Sequence, residues 1–294
     1  MSIRHPLDPF RRLPRDHWRT LAPAALERAY MPSSMVASLA DEIRAYVDGS
    51  AAARASLLFE TCAYGDAPDE TLDAVPASAP GAPLLVYLHG GYWQELSKRE
   101  SSFMAPALHV AGFAFATVDY TLAPAAKLAD IVDQCVRAVA WCRDHAAALD
   151  ADPGRVIVAG SSAGAHLAAL ILTRLAGLAG AALLSGVYDL APIRRTSVDG
   201  ALSLSDHDVA ALSPLDLAPL EPTPLVVAVG AVETAEFHRQ SATLAAAWRG
   251  HGCPVEELFV PGRQHFDLPN DLGDTDTPLG QAVARLALAA RPPA

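Results

Sequence analysis

The chain has 294 residues, 51% hydrophobic and 19% charged, with 33 acidic against 22 basic side chains and a net charge of −11. So much apolar sequence supports one large α/β domain or two small ones and excludes disorder as the ground state. The acidic balance argues against nucleic acid or an anionic membrane as partner, since both call for basic patches, and leaves the sign of any pocket open.

Residues 1–20 open with MSIRHPLDPFRRLPRDHW, charged and broken by proline. They read as a loosely held arm with no apolar core of a secretory signal. No apolar run reaches membrane-spanning length without polar interruption, so a soluble cytoplasmic protein is the expectation. From there to about Ala55 the pattern is helical, with a serine N-cap in SSMVASLADEIRAYVDGS and Gly49 closing the helix. Apolar β-type runs and amphipathic stretches then alternate. The strands expected are SLLFETCAY (56–64), PLLVYLHG (83–90), FAFATVDY (113–120), RVIVAGSS (155–162), GAALLSGVY (180–188), PLVVAVGA (224–231) and PVEELFVPG (254–262). Helices are expected near 99–111, 127–149, 163–176, 234–250 and 278–291. Short apolar strands between such helices imply a mostly parallel sheet covered on both faces. SAPGAP (78–83) is a turn, not a linker, because the alternation resumes directly after it. The organisation expected is a single domain over 1–294, with an arm and cap helix over about 1–55. A long Ser-, Asp- and Pro-rich insertion over about 188–224 would lie above the strand ends as a lid. Cys62, Cys135, Cys142 and Cys253 form no CxxC pair, which favours buried or near-surface thiols over disulfides or a zinc site.

Four places along this order carry chemistry. At the end of PLLVYLHG the chain runs into HGGYW (His89 to Trp93), paired glycines where the main chain must approach something closely. RVIVAGSSAGAHLAAL then places G-x-S-x-G as Gly160-Ser161-Ser162-Ala163-Gly164 directly after a strand and before an alanine-rich helix. That context makes Ser162 a nucleophile held at a sharp strand-to-helix turn, beside the N–H groups of a helix N-terminus. The HGGYW loop would lie next to it, with the main-chain N–H groups of Gly91, Tyr92 and Ala163 forming an oxyanion hole. Each such donor is worth about 3–4 kcal/mol of barrier. His89 fits an organiser of that loop better than a base, and Tyr92 and Trp93 either wall an acyl or aryl pocket or, for Trp93, pack on the sheet.

Serine needs a base oriented by an acid. His265 in VPGRQHFDLP, flanked by Gly262, Arg263 and Gln264 in a loop after the last strand, is hard to explain as a core residue and is the candidate base. His166, four residues after Ser162 on the helix, reads as structural. The acid should fall between serine and histidine at a strand end, which favours Glu233 in PLVVAVGAVETAEF, with Glu236 as its competitor.

These pieces, in the order Ser, Glu, His, resemble the α/β-hydrolase superfamily, and more narrowly its arylformamidase (kynurenine formamidase) branch and related small-molecule esterases. The likeness runs through AYGDAPDETLDAVP, HGGYWQELSKRESSFMAPAL, VDYTLAP, GSSAGAHLAA, LSGVYDLAPI, ALSPL, VGAVETAEFHRQS and VPGRQHF, most of Tyr64 to Phe266. It implies hydrolysis of an N-formyl or N-acyl aryl amide such as N-formyl-kynurenine, or of short esters, by acyl-enzyme chemistry without metal or organic cofactor. It implies a small-molecule substrate and suggests a homodimer, while the acidic balance points to no nucleic-acid or membrane partner. The family often carries Asp as triad acid where this chain has Glu233. By analogy with the family's capping N-terminal segment, Tyr30 in LERAYMP would stand near the substrate, as would Trp93 and His89 from the HGGYW loop. Arg194 and Arg195 either hold a substrate carboxylate or are exposed surface arginines. Three alternatives stand beside formanilide hydrolysis: a carboxylesterase, an amidohydrolase acting on dianionic acylaminomethylene succinates, and a ligand receptor on a hydrolase fold that has lost catalysis.

Overall fold

The structure, a computed structural model, describes residues 5–11 and 13–289. Its strands are β1 (Glu60–Ala63), β2 (Thr71–Val75), β3 (Ala82–Leu88), β4 (Ala114–Val118), β5 (Ala151–Ser161), β6 (Gly180–Leu184), β7 (Leu225–Val232) and β8 (Val255–Gln264). Its helices are α1 (Asp8–Arg11), α2 (Pro23–Ala29), α3 (Leu39–Ser56), α4 (Ala105–Val110), α5 (Leu128–Asp144), α6 (Ala163–Leu172), α7 (Asp199–Leu202), α8 (Asp206–Leu212), α9 (Ala235–Gly250) and α10 (Pro278–Ala289). The strands form one sheet of eight in the order β1-β2-β4-β3-β5-β6-β7-β8. β2 runs antiparallel to both β1 and β4, and every other pairing is parallel.

Successive side chains of a strand point to opposite faces, so a continuous apolar run feeds two cores at once. Leu84, Val86 and Leu88 of β3 enter one core and Leu85 and Tyr87 the other. The first core is closed by α5, α6 and α9 through residues such as Ile131, Leu167 and Leu244. The second is closed by α4 and α10 through Leu108, Leu279 and Val283. In α5, Ile131, Cys135, Ala138 and Cys142 are buried on one helical face, and the two thiols are free and pushed up in pKa by that burial. No helix among the described residues is long and apolar enough to cross a membrane.

Four expectations need correction. The opening segment is not a loose arm over its described residues: Leu7 and Trp18 are buried, and the chain there packs on α9. Gly49 does not end its helix, which begins at the Ser38 cap and continues to Ser56. There a Cβ on Gly49 would meet the Phe103 Cβ at 3.0 Å, so the glycine answers a packing demand. The helix expected over 99–111 shrinks to α4, which starts at Ala105 with a proline in its first turn. Finally, β2 was not among the expected strands because Asp73 sits in its middle. That carboxylate is buried against Arg54 (2.7 Å), Lys98 (3.0 Å) and the Thr61 hydroxyl (2.6 Å). Burial alone would raise its pKa, but hydrogen bonds from Thr61, Lys98 and Arg54 outweigh that and hold it below the usual carboxylate range.

His166 joins two layers of the first core. Its Nε2–H donates to the Leu212 carbonyl at 2.7 Å, tying α6 to α8, and its ring meets Trp93 edge-on at 4.9 Å. Burial lowers its pKa from 6.5 to about 4, and a second proton on Nδ1 would find no acceptor there. The unfolded chain therefore takes up a proton before the folded one does, and stability conferred at neutral pH is lost as pH falls from about 6.5 to 4. His166→Gln, which keeps a donor for Leu212, is expected to lose about 2 kcal/mol less stability than the parent between pH 7 and pH 4.5. Urea unfolding at the two pH values reads this, and equal losses in both proteins would contradict it.

Candidate active site

Five adjacent strands of the sheet deliver the candidate residues, each within one position of a strand end: His89 after β3, Ser162 after β5, Ser185 after β6, Glu233 after β7 and His265 after β8. The strands are parallel, so all five ends lie on one edge of the sheet, where ligands of open α/β sheets bind.

Ser162 makes the turn between β5 and α6 alone, with φ 57° and ψ −119°. A non-glycine residue there costs about 1–3 kcal/mol and needs over-determined surroundings. The Ser162 N–H donates to the Leu184 carbonyl at 2.8 Å, and its own carbonyl accepts from Ala165 and His166 to start the helix. A Cβ on Gly164 would fall 1.9 Å from the Leu88 carbonyl oxygen, so only glycine lets α6 approach β3 this closely.

The loop after β3 lies against this turn. A Cβ on Gly90 would stand 3.1 Å from the Ser161 carbonyl and 3.3 Å from the Ser162 Cβ. Beyond it φ is positive at Gly91 (93°), Tyr92 (50°) and Trp93 (61°), and the Gly91 carbonyl accepts from Gln94 and Glu95. Among the described residues no acceptor pairs with the main-chain N–H of Gly91, Tyr92 or Ala163. Gly91 and Tyr92 border, with Ser162 and His265, a cavity of about 290 Å³.

His265 is paired through Nδ1 with Glu233 Oε2 at 2.8 Å, and both side chains are buried. The other carboxylate oxygen, Oε1, accepts from the Ser185 hydroxyl at 2.6 Å and the Gly230 N–H at 2.7 Å. With a carboxylate on Nδ1, the ring's proton belongs there and the Nε2 lone pair is left for the cavity. The Phe237 ring stands edge-on to the imidazole at 4.6 Å and keeps water from its flank. Ser162 and His265 share no hydrogen bond, but both border the same cavity.

Glu236 is elsewhere. It accepts from the Tyr30 hydroxyl at 2.7 Å and from Arg239 Nε at 2.9 Å, all three side chains being buried. It is neither the partner of His265 nor a solvated first-turn carboxylate.

Three residues expected near substrate do not border the cavity. Tyr30 is buried with its hydroxyl in the Glu236 network, and the neighbouring Met31, Pro32 and Ser33 line the cavity in its place. Trp93 is fully buried against His166, the packing alternative. His89 is buried and stacked on Tyr120, with Nδ1–H bonded to the Gly90 carbonyl at 2.9 Å. Burial drops its pKa to about 4, so it braces the loop as a neutral ring. Arg194 pairs with Asp206, and Arg195 stacks on Trp18.

Other residues of the site lie outside the sequence motifs. Leu39, Ile43 and Tyr46 of α3 form one apolar wall of the cavity at helical spacing, a pattern that was available. Val198 from the long insertion closes another side. Ser185 carries no sequence mark beyond its place at a strand end.

The comparisons with known proteins bear on this site. The BD-FAE family model matches residues 74–179. The chain is 34% identical to a kynurenine formamidase of Salmo salar over 92% of its own length and 98% of that protein's. It is 32% identical, with the same coverages, to one of Danio rerio. Among solved structures, a putative thioesterase from Silicibacter sp. superposes with a TM-score of 0.79 at 26% identity, covering 88% of this chain and 98% of that one. The carboxylesterase EstE1 matches with a TM-score of 0.67 at 20% identity, which speaks to the fold alone.

Ser185→Ala removes one of the three hydrogen bonds on Glu233 and leaves the His265 contact in place. Turnover on any substrate of the enzyme is expected to fall about tenfold with KM within twofold, from the weight of a hydrogen bond to a charged group. An unchanged kcat would show that Gly230 alone holds the carboxylate.

Proposed function

Because the chain belongs to the kynurenine formamidase family of the α/β-hydrolases, we propose that it removes the formyl or short acyl group from an aryl amide such as N-formyl-kynurenine through an acyl-enzyme on Ser162. That it is a hydrolase of formamidase or esterase type follows from the relatives. The observation supporting the assignment of parts is the meeting, at one small cavity, of a strained serine, a histidine backed by a buried carboxylate, and unpaired main-chain donors.

In this reading His265 Nε2 takes the proton of Ser162 as its oxygen attacks the formyl carbon. The N–H groups of Gly91, Tyr92 and Ala163 receive the oxyanion. The imidazolium, oriented and compensated by Glu233, protonates the leaving aniline, and water activated by the same histidine then releases formate. The walls formed by Ile43, Tyr46, Phe103 and Val198 suit a flat aryl or short acyl group in a cavity of about 290 Å³. The same apparatus cleaves esters, so ester turnover is the second reading, favoured by the putative thioesterase among the structural neighbours. The dianionic succinates find less support, since no Lys or Arg of the described residues borders the cavity. A receptor that has lost catalysis would not need the complete Glu233–His265 pair.

A paired rate comparison tests this. N-formyl-L-kynurenine is expected to give a higher kcat/KM than each p-nitrophenyl ester from acetate to octanoate, and Ser162→Ala is expected to lower every rate by about a thousandfold or more. Fast short esters with a negligible formanilide rate would make it an esterase, and near-parental turnover by Ser162→Ala would overturn the mechanism.

A further inference from the structure

The unexpected placement of Tyr30 carries a consequence for the oxyanion loop. Tyr30 closes α2 and is buried, and three separate parts of the site converge on it. Its hydroxyl donates to Glu236 Oε2 at 2.7 Å and accepts from Gln240 Nε2 at 3.0 Å, both on α9. Its ring faces Phe237 of the same helix at 6.3 Å, and Phe237 in turn stands against the His265 imidazole. Its main-chain carbonyl accepts the hydroxyl of Tyr92. Thr234, beside Glu233, ties down the preceding residue by donating to the Ala29 carbonyl at 2.5 Å.

Tyr92 is the residue whose N–H is assigned to the oxyanion, and it is held at φ 50° between two other positive-φ residues. Gly91 adopts its positive φ without cost, but Tyr92 and Trp93, which are not glycines, would relax to the ordinary region if released. The carbonyl of Gly91 is held by Gln94 and Glu95 and that of Trp93 by the Ala123 N–H at 2.8 Å, and Tyr92 and Gln94 are further fixed from outside the loop by their side chains. One is the Tyr92 hydroxyl on Tyr30, and the other is Gln94 Nε2 on the Val198 carbonyl at 3.0 Å.

We infer that Tyr30 and the Tyr92 hydroxyl form a strut that sets the oxyanion-binding N–H of Tyr92 relative to the Glu233–His265 arm, making both positioning residues for the hydrolytic step. The inference rests on the hydrolase reading given above. The phenol of Tyr92 acts on the reaction through its own backbone, and Tyr30 acts through Tyr92 and Phe237 without touching substrate. The N-terminal segment is on this account part of the catalytic framework, because it carries the acceptor that keeps the oxyanion loop strained.

A positioning role separates from a merely structural one in the transition state. In the full-length protein, Tyr92→Phe is expected to lower kcat about tenfold while leaving KM within twofold. It is also expected to weaken an aryl trifluoromethyl ketone, which forms an oxyanion on the serine, about tenfold, and to leave the matching methyl ketone unaffected. Tyr30→Phe, which frees the far end of the strut, is expected to show the same split to a smaller degree. It decides the matter should Tyr92→Phe fail to fold. Variants that lose melting temperature but keep parental kcat and ketone affinity would overturn the inference, as would a change confined to KM. A parental protein on which the fluoroketone forms no adduct at Ser162 would instead overturn the hydrolase reading, and the strut with it.

Discussion

The site depends on one close approach. The glycines flanking Ser162 let β5, α6 and the end of β3 come together at backbone distance, with no room for a Cβ on Gly164 or for anything larger than hydrogen at Gly160. That contact forces Ser162 into a left-handed turn and points it out of the sheet edge, and it seats the loop after β3 directly beside it. The strain is sustained because two apolar cores, one on each face of the sheet, clamp the strands in register on either side. The fold thus pays for a reactive geometry at one residue with burial spread over many.

From that point the rest of the machinery is a matter of strand order. Because β5, β6, β7 and β8 are neighbours and parallel, the residues that follow them, Ser162, Ser185, Glu233 and His265, stand in a row. Glu233 reaches His265 across one strand spacing, and Ser185 reaches Glu233 from the other side. The segments that roof the cavity are hydrogen-bonded to each other and to the loop after β3. Glu27 of α2 accepts from the Ser197 N–H at 2.9 Å, and Gln94 holds the Val198 carbonyl. The roof of the cavity and the loop after β3 are therefore joined through the same few contacts.

Much of this was legible in the sequence, for reasons that can be stated. The strands β3 to β7 are legible because strands buried on both faces are continuous apolar runs, and the turn at Ser162 because its glycines are required sterically. Glu233 was preferable to Glu236 because strand ends, not helix turns, face the site, and the structure pairs Glu233 with His265. What escaped notice depends on tertiary partners. β2 was hidden by Asp73, a charge acceptable in a strand only because Arg54 and Lys98 arrive from distant parts of the chain. Tyr30 and Trp93 look like pocket aromatics in one dimension, and become buried supports once α9 and His166 are placed against them. Ser185 is an unremarkable serine until its hydroxyl is seen on the carboxylate.

The central claim is that Glu233, through His265, activates Ser162. The most direct measurement is the rate at which a fluorophosphonate labels Ser162, located by mass spectrometry, in the parent, Glu233→Gln and Glu236→Gln proteins. The account predicts labelling slowed about a hundredfold or more in Glu233→Gln and by less than about tenfold in Glu236→Gln. Parental labelling of Glu233→Gln, or the larger loss in Glu236→Gln, would contradict it.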